Sequence, residues 1–404
     1  MIANILDISE DLFFRDYFGR KFLYACGIPG RFAHLLPWEV LNDLLRHSQV
    51  GPPRVRLVKE GQALPDEFYV KYRDSRLSPP RPFLLAGPLT EQLRNGATLI
   101  FDAIDEVYDP IGSLVEDFGR LLGVSVRANM YASWRESPGF DLHWDDHEVI
   151  VLQVHGRKQW QIHGETERFP IDKQSDQYPP NTGPIWEGVL RDGDALYIPR
   201  GWWHAAVPCD EPTLHLTVGF VQPTGIDLLK WITDRLAASP FVRMDIPRMA
   251  GTEAISEYLA SFRHIIADLC ADPNLLQDFF RHRDGTAWPR YRFGLPWSAM
   301  SGILPDSECY LLNLALPRRL ELTHRVQAAQ VDLAFHGRVF TFHEATTSLF
   351  EYLVRSTPIS ISDFYTRFEA EFSHAQLTEF LTDLARYGLI SLNSPGKLAT
   401  VAAC

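Results

Sequence analysis

The middle of the chain carries the clearest hydrophobic pattern. Residues 149–154 are almost continuously apolar and β-branched, and residues 158–162 alternate between polar and apolar side chains. The first pattern is typical of a fully buried strand and the second of a strand with one buried face. His155, Gly156 and Arg157 between them have the composition of a turn. The two segments therefore predict a β-hairpin.

The alternation also places Lys158 on the same face as Trp160 and Ile162, because successive side chains of a strand point to opposite sides. If the two apolar residues face the interior of a barrel, Lys158 faces it too. A buried ammonium group needs an anion as its partner. The alternative is a lysine whose head group reaches the rim of the barrel and stays in water.

Helical patterns occur on both sides of this region. Residues 37–45 and 110–122 predict helices, and Gly123 is a typical C-terminal stop. Residues 225–325 are mostly helical in pattern and contain one wide apolar stripe. The stripe consists of Ile255, Tyr258, Leu259, Phe262, Ile266 and Leu269. Such a stripe packs inside its own chain more often than against another chain.

The C-terminal segment predicts three helices followed by a strand. These elements are expected at residues 344–355, 360–371, 373–387 and 389–392. Ser373 and Gln376 form a capping-box pattern at the start of the third helix. The buried face of that helix is expected to consist of Leu377, Phe380, Leu381 and Leu384. This order of elements is typical of a winged helix.

Together the patterns predict an α+β protein in four parts. The parts are an N-terminal α/β flank at residues 1–85, a β-rich core at 86–224, a helical region at 225–325 and a winged helix at 326–404. The Pro-rich stretch at residues 78–82 marks the first boundary.

Charge limits the partners that we expect. The net charge is −12, and binding to nucleic acid depends mainly on phosphate neutralisation by Lys and Arg, so direct nucleic-acid binding is not expected. From Val326 onward the chain has eight acidic and five basic residues, which favours a protein partner for the winged helix over DNA. A basic protein partner suits this charge, although many enzymes are acidic merely for solubility.

The remaining composition favours a reducing compartment. The five cysteines are scattered and contain no CxxC pair, so neither a disulfide framework nor a zinc site is indicated. The first residues lack the basic start of a signal peptide, and no apolar run approaches the length of a membrane span. We expect a cytoplasmic protein that makes no contact with a membrane.

Two segments that are distant in sequence carry candidate metal ligands. His143 and Asp145 are two residues apart, so on a strand they would point to the same face. The second segment reads as a Gly-Asp turn, a short apolar strand, a Pro-x-Gly reversal and then His204. Two histidines and one carboxylate leave half of an octahedron open, as non-haem Fe(II) oxygenases require for a chelating co-substrate and O2.

The motif alone leaves two simpler interpretations open. An HxD tripeptide can arise by chance in a chain with 14 His and 51 Asp+Glu. Its histidine would then be an ordinary surface or core residue whose hydrogen bonds are satisfied within the protein. In a plain cupin, Glu148 or His147 would join the two histidines in place of Asp145.

With these residues the chain resembles the JmjC-type 2-oxoglutarate oxygenases and, within them, the ribosomal oxygenases. The likeness rests on the HxD motif, Lys158, His204 and three further segments. Those segments are residues 93–100, 128–131 and 289–297. The resemblance implies a double-stranded β-helix, which is a jelly roll of the cupin type, at residues 86–224. It also implies that residues 225–325 pair two subunits into a homodimer.

The resemblance assigns a cofactor and two co-substrates. Fe(II) would be held by His143, Asp145 and His204. The pocket for 2-oxoglutarate would be lined by Lys158, Asn129, Tyr131 and Thr217. The implied reaction is hydroxylation of an unactivated C–H bond, with O2 consumed and 2-oxoglutarate oxidatively decarboxylated.

The resemblance constrains the substrate less than the chemistry. The substrate would be a side chain of a ribosomal protein, an arginine in bacterial relatives and a histidine in eukaryotic ones. Residues 133–140 at the mouth of the site depart from the Pro-Pro-Gly-Ser-rich loop expected there. The mouth is expected to present Trp134, Arg135 and Trp202. Alternatives are hydroxylation of another peptide, such as a natural-product precursor, and a non-catalytic cupin-like regulator that acts through its winged helix.

Overall fold

A computed structural model divides the chain into two compact units, Met1–Gln222 and Pro223–Cys404, here called the N-terminal and C-terminal units. The residues that the structure describes are 1–47, 50–75, 78–171, 178–288, 293–300, 304–305, 310–315 and 322–393. Within these ranges no helix is long and apolar enough to cross a membrane. Residues 289–292 of the 289–297 segment lie outside the described residues, as do Cys309 and Cys404.

The N-terminal unit is mainly β-structure. Its helices are α1 (Ile2–Leu6), α2 (Glu10–Leu12), α3 (Trp38–Arg46), α4 (Ala86–Arg94) and α5 (Asp109–Leu122). Its strands are β1 (Leu23–Ala25), β2 (Val55–Lys59), β3 (Gln62–Ala63), β4 (Val70–Ser75), β5 (Ser78–Leu84), β6 (Thr98–Phe101), β7 (Val126–Ser133), β8 (Glu148–His155), β9 (Lys158–Glu165), β10 (Trp186–Leu190), β11 (Ala195–Ile198), β12 (Trp202–Pro208) and β13 (Thr213–Phe220).

Two sheets of this unit enclose a barrel interior. The large sheet has the strand order β1-β11-β8-β13-β7-β6-β2-β3, and the small sheet has the order β10-β9-β12. Val151 of the large sheet and Trp160 and Ile162 of the small sheet belong to one buried apolar cluster. Packing of the two sheets through such a cluster gives the cupin-like architecture that the resemblance implied.

The predicted hairpin of β8 and β9 is wrong. β8 pairs with β11 and β13 in the large sheet, whereas β9 pairs with β10 and β12 in the small sheet. Gly156 between them has φ 66°, which lets the chain turn from one sheet into the other. Turn residues and strand periodicity indicate where strands end, but they do not decide which strands pair.

Alternation along the two strands was predicted correctly. In β8, Ile150 packs into the main core of the unit, while Val151 packs into the apolar cluster between the sheets. In β9, Lys158, Trp160 and Ile162 are all buried, and the residues between them are not. The chain therefore directs Lys158 to the barrel interior, as its spacing predicted.

The predicted boundary at residue 85 does not separate compact units. β1 pairs with β11 and β2 pairs with β6, so the first 85 residues supply strands to the same large sheet. One hydrophobic core runs from Ile2 to Phe220. Residues 78–82 lie in β5, which pairs with β4 in a separate two-stranded ribbon. Such a ribbon tolerates proline because its strands are edges.

The C-terminal unit begins with helices and continues with short sheets. Its helices are α6 (Gly225–Leu236), α7 (Thr252–Cys270), α8 (Leu275–Thr286), α9 (Thr347–Ser356), α10 (Ile361–Phe368) and α11 (His374–Arg386). Its strands are β14 (Leu311–Leu314), β15 (Leu322–Arg325), β16 (Gln330–Phe335), β17 (Arg338–His343), β18 (Ile359–Ser360) and β19 (Ile390–Asn393).

Several helix signals of the sequence are confirmed. α5 ends at Gly123, which adopts the left-handed conformation expected of a C-terminal stop. Ser373 and Gln376 form both hydrogen bonds of a capping box at the start of α11. The predicted face of α11, including Leu377 and Leu381, is buried. These features depend on residues close in sequence, which is why the sequence predicts them.

The apolar stripe of α7 is not core within the described residues. No residue of α7 is buried, and Ile255 and Leu259 are 37% and 48% exposed. Tyr258 stacks against Phe241 and Phe262, which covers only part of the stripe. An apolar helix face that its own unit leaves exposed is available for a partner.

Within the described part of residues 225–325, the α-helices end at Thr286, and a short 3-10 helix follows at Trp297–Ala299. β14 pairs with β18 and β19, and β15 pairs with β16. The predicted boundary after residue 325 would therefore cut through two sheets. β14 and β15 were not predicted from the sequence, because a strand of four residues gives a hydrophobic pattern too short to distinguish from that of a loop.

Candidate metal centre

The three candidate metal ligands lie together at one end of the barrel interior. The ligand atoms of His143, Asp145 and His204 all lie within 4.8 Å of one another. Nε2 of His204 is 3.6 Å from Oδ2 of Asp145, and the two imidazole centroids are 4.4 Å apart. These distances suit three donors that each lie about 2 Å from one shared ion. The donor set, two imidazoles and a carboxylate, fits Fe(II).

His143 and Asp145 do not lie on a strand, so that part of the prediction is wrong. They belong to the connection between β7 and β8, where His143 forms an isolated bridge with His204. The two histidines exchange backbone hydrogen bonds of 3.1 and 2.7 Å, and Gly201 N–H donates to the carbonyl of Asp145 at 2.8 Å. β12 at His204 and the turn before it at Gly201 therefore hold the HxD segment in place.

Backbone carbonyls orient both imidazoles. Nδ1 of His143 lies 2.8 Å from the carbonyl oxygen of Asp141, and Nδ1 of His204 lies 2.9 Å from that of Trp202. A carbonyl oxygen only accepts hydrogen bonds, so each Nδ1 carries the proton and each Nε2 keeps its lone pair. This is the tautomer that binds a metal through Nε2.

Glu148 and His147, the ligands of the plain-cupin alternative, are engaged elsewhere. The carboxylate of Glu148 accepts a hydrogen bond from the hydroxyl of Tyr197, which itself accepts one from Gly19 N–H at 2.7 Å. Nδ1 of His147 lies 3.1 Å from a carboxylate oxygen of Asp146. Alternation along β8 explains the orientation of Glu148, because it shares a face with residues of the main core. The geometry favours Asp145 as the third ligand.

Lys158 places a cation in the barrel interior. Its side chain is 4% exposed, and its ammonium group has no hydrogen bond or ion pair with any residue that the structure describes. Burial lowers the pKa of Lys158 to about 8, which leaves it charged at neutral pH. An unpaired buried cation favours an anionic ligand.

Tyr131 and Asn129 lie on the same face of β7. Burial, with the nearby Asp145 and Asp102, raises the pKa of Tyr131 to about 12, so its hydroxyl stays protonated. Oδ1 of Asn129 accepts a hydrogen bond from Ala103 N–H at 2.8 Å. Because Oδ1 is occupied, the amide NH2 group of Asn129 is the part of the side chain that can still donate a hydrogen bond. Asn129 acts in this way to lower the pKa of Tyr131, against the effect of burial. Asn129 therefore influences the ionisation of Tyr131 from the same face of β7.

Thr217 and His215 lie on the neighbouring strand β13. Thr217 is the cross-strand partner of Asn129, and its hydroxyl donates to the Asn129 carbonyl at 3.5 Å. His215 is the partner of Tyr131, and their rings stack with centroids 5.0 Å apart. His215 was not among the site residues predicted from the sequence. Its position two residues before Thr217 was the available signal, because both share one face of the strand.

The predicted mouth residues have different environments. The ring of Trp134 lies 5.7 Å from that of Trp38 and packs on the main core. Arg135 is exposed and lies 3.4 Å from Asp210, while Trp202 packs with the apolar cluster between the sheets. Phe140, which the sequence analysis did not single out, has its ring centroid 5.6 Å from that of His143.

Comparison with known proteins identifies the class of this fold and site. Residues 108–228 match the family model of the JmjC domain. That range contains the three candidate ligands and Lys158. The chain therefore contains a JmjC domain, and the resemblance inferred from its motifs is confirmed.

The curated relatives include ribosomal oxygenases and histidyl-hydroxylases. The chain is 30% identical over 236 residues to the bifunctional lysine-specific demethylase and histidyl-hydroxylase NO66 of Drosophila persimilis, a match that covers 54% of this chain and 31% of the relative. It is 32% identical over 202 residues to ribosomal oxygenase 1 of Bos taurus, covering 46% of this chain and 28% of the relative. The chain spans about a third of the length of these relatives.

Solved structures show the same fold over nearly the whole chain. The ribosomal oxygenase YcfD of Escherichia coli, in complex with cobalt and succinic acid, matches with a TM-score of 0.61. The match is 16% identical and covers 96% of this chain and 99% of that one. The same protein with cobalt and 2-oxoglutarate matches with a TM-score of 0.59 at the same identity and coverage. At this identity the likeness concerns the fold alone.

Proposed function

We propose that this protein is an Fe(II)- and 2-oxoglutarate-dependent dioxygenase that hydroxylates a side chain of a protein. The observation that carries the proposal is the position of His143, Asp145 and His204 in the same barrel interior as the buried Lys158, which has no partner among the described residues. A candidate metal site and a buried cation in one barrel interior suit a co-substrate that chelates a metal at one end and carries a carboxylate at the other.

Each of the three candidate ligands would bind the metal through one defined atom. His143 and His204 would donate through Nε2 and Asp145 through a carboxylate oxygen, since both Nδ1 atoms are bonded to carbonyls. Bound Fe(II) supplies the activation of O2 that no amino-acid side chain provides. The protein contributes fixed donors and an interior in which Lys158, His204 and His215 are buried.

The far carboxylate of 2-oxoglutarate would bind to Lys158. The protonated hydroxyl of Tyr131 is a second donor, and Thr217 lines the same face. Asn129 would act mainly on Tyr131, because its Oδ1 already accepts the Ala103 N–H. Charge-assisted hydrogen bonds of this type are worth about 1.5–3 kcal/mol each.

For the substrate we propose a ribosomal protein, hydroxylated on an arginine or a histidine. The names of the relatives, a histidyl-hydroxylase and ribosomal oxygenases, support this class. The net charge of −12 would attract a basic protein. Arg135 and Trp202 are candidate substrate contacts, while the packing of Trp134 favours Phe140 in its place. A natural-product precursor peptide and a non-catalytic regulatory role remain the alternatives.

We further propose that the C-terminal unit pairs subunits and carries a winged helix. The exposed stripe of α7 supports a homodimer. The order α9, α10, α11 and β19 around one core supports a winged helix at residues 326–404. The acidic residues of that segment favour a protein partner over nucleic acid. The unpaired Cys26, Cys209 and Cys270 suit a cytoplasmic location.

Intact-mass spectrometry of ribosomal proteins tests the substrate. Proteins from cells with and without the gene are compared, and we expect one of them to be heavier by one oxygen atom only when the gene is present. Purified enzyme with Fe(II) and 2-oxoglutarate should add the same oxygen to protein from the deleted strain, and Asp145→Ala enzyme should not. Turnover of 2-oxoglutarate with no oxidised ribosomal protein would favour the peptide alternative. Absence of any turnover would favour the regulator.

A further inference from the structure

His215 occupies the centre of the polar part of the barrel interior. It is 3% exposed and lies on the inward face of β13. Its ring stacks on Tyr131 with an interplanar angle of 6°, and it meets the ring of Trp160 at 79° with centroids 5.6 Å apart. Two aromatic walls therefore fix the plane of this imidazole.

The imidazole of His215 is neutral. Burial lowers its pKa well below 6.5, and the nearby cation Lys158 lowers it further. A neutral imidazole has one N–H donor and one lone pair. Neither ring nitrogen forms a hydrogen bond with the residues that the structure describes, and Nδ1 is fully enclosed.

The same interior holds other polar atoms that lack partners. Nε1 of Trp160 and Oε1 of Gln153 have no hydrogen bond within the described part of the chain. Gln153 is the cross-strand partner of His215, and Trp160 is its ring neighbour. Buried polar atoms normally find partners, so such a cluster marks a place where a polar molecule binds.

Charge indicates what this molecule is. Lys158 is the cation that acts on His215, and the neutral His215 adds a donor without adding charge. A carboxylate carries one negative charge and about four lone-pair sites, so it accepts from an ammonium group and from neutral donors together. The donors on Lys158, His215 and Tyr131 therefore suit a single carboxylate better than a pair of carboxylates.

We infer that His215 binds the far carboxylate of the co-substrate through its neutral ring N–H, and so helps to select a dicarboxylic over a monocarboxylic 2-oxo acid. The inference rests on the proposed function. The inference goes beyond the proposed function because it makes His215 a residue that determines co-substrate specificity. The stacked Tyr131 and Trp160 hold the ring, and the N–H makes the contact.

The test compares two acids on full-length, Mn(II)-loaded protein by calorimetry. 2-Oxoglutarate carries the far carboxylate, whereas 2-oxopentanoate has the same chain length without it. His215→Phe keeps an aromatic ring for the stack but removes the N–H. We expect His215→Phe to weaken 2-oxoglutarate binding by about tenfold or more, the value of a hydrogen bond to a charged group, and to leave 2-oxopentanoate binding unchanged.

Two further variants keep the result interpretable. His215→Asn retains an N–H donor and should restore part of the preference for the dicarboxylic acid, even if it lowers stability. His155→Phe is the matched control, because His155 also stacks on an aromatic ring, that of Trp38, but bonds to the carbonyl of Leu36 outside this interior. It should leave the ratio of the two affinities as it is in the wild type.

The outcomes separate the inference from the proposed function. If His215→Phe weakens both acids equally, or neither, the specificity role is wrong and His215 only packs. In that case Lys158→Ala still reports on the proposed function, because it should weaken 2-oxoglutarate alone. Should the wild type fail to bind 2-oxoglutarate at all, the proposed function itself fails.

Discussion

At the scale of single residues, the metal centre depends on a loop that other backbone groups hold. We predict that His143→Ala or Asp145→Ala abolishes Fe(II) binding and 2-oxoglutarate turnover, since two protein donors are too few to fix the ion. Metal content and succinate production measure the two effects.

Glu148→Ala is the control for this prediction. It should retain the metal and lose stability by about 1–3 kcal/mol, because the hydroxyl of Tyr197 loses its acceptor in the core. Retention of metal by Asp145→Ala together with its loss from Glu148→Ala would restore the plain-cupin interpretation.

The pKa of Lys158 predicts how co-substrate binding depends on pH. Burial lowers this pKa to about 8, so the ammonium group loses its proton as the pH rises through that value. The apparent KM for 2-oxoglutarate should therefore increase above about pH 8, and a bound carboxylate shifts the increase upward because it favours the charged form.

Two variants of Lys158 check the cause. Lys158→Ala should raise the KM by about tenfold to a hundredfold at neutral pH. Lys158→Arg keeps its charge throughout and should give a flat profile over the same range. An unchanged KM in Lys158→Ala would assign the anchoring to another cation.

Asn129 is predicted to act through Tyr131. In Asn129→Asp the carboxylate still accepts from Ala103 N–H, but it also accepts the Tyr131 proton and withdraws it from the pocket. The KM for 2-oxoglutarate should rise by about twofold to tenfold, with little change in kcat. In a Tyr131→Phe background the same substitution should add nothing further. Additive effects in the double variant would show that Asn129 contacts the co-substrate directly.

At the scale of elements, α7 presents an apolar stripe that its own unit leaves exposed. We predict that Leu259→Glu, at a residue 48% exposed, converts a dimer into a monomer without unfolding the chain, because the substitution meets water in the monomer and apolar surface in the dimer. Light scattering measures the mass and circular dichroism the fold. Glu257→Gln on the same helix is the control. A wild type that is monomeric at every concentration would remove the dimer proposal.

At the scale of the whole molecule, the N-terminal unit has a complete core and the candidate metal site. We predict that a fragment of residues 1–222 binds Fe(II) but loses activity on a full-length protein substrate, because dimer contacts and the C-terminal module are missing.

The activity of the intact chain on a basic substrate should fall with added salt, which shortens the Debye length from about 10 Å at 0.1 M to about 3 Å at 1 M. A fragment as active as the intact chain at every salt concentration would show that the C-terminal unit does not serve substrate capture.

Features that depend on near neighbours in the chain were predicted correctly from the sequence. The end of α5 at Gly123, the capping box at Ser373 and the inward face of Lys158 each follow from one helical turn or one strand period. The three candidate ligands and the proposal that Lys158 binds an anion followed likewise from short motifs. These established the class of chemistry that the protein resembles.

Which segments meet depends on contacts between residues that are far apart in sequence. β9 pairs with β10 and β12 in place of β8, and β14 joins strands from the end of the chain. His143 and Asp145 converge through a loop held by the turn at Gly201, and His215 enters the pocket through pairing with β7. The physical reason is that strand pairing is made by backbone hydrogen bonds, which every residue offers alike. The choice of partner therefore lies in the packing of the whole core, where no local pattern records it.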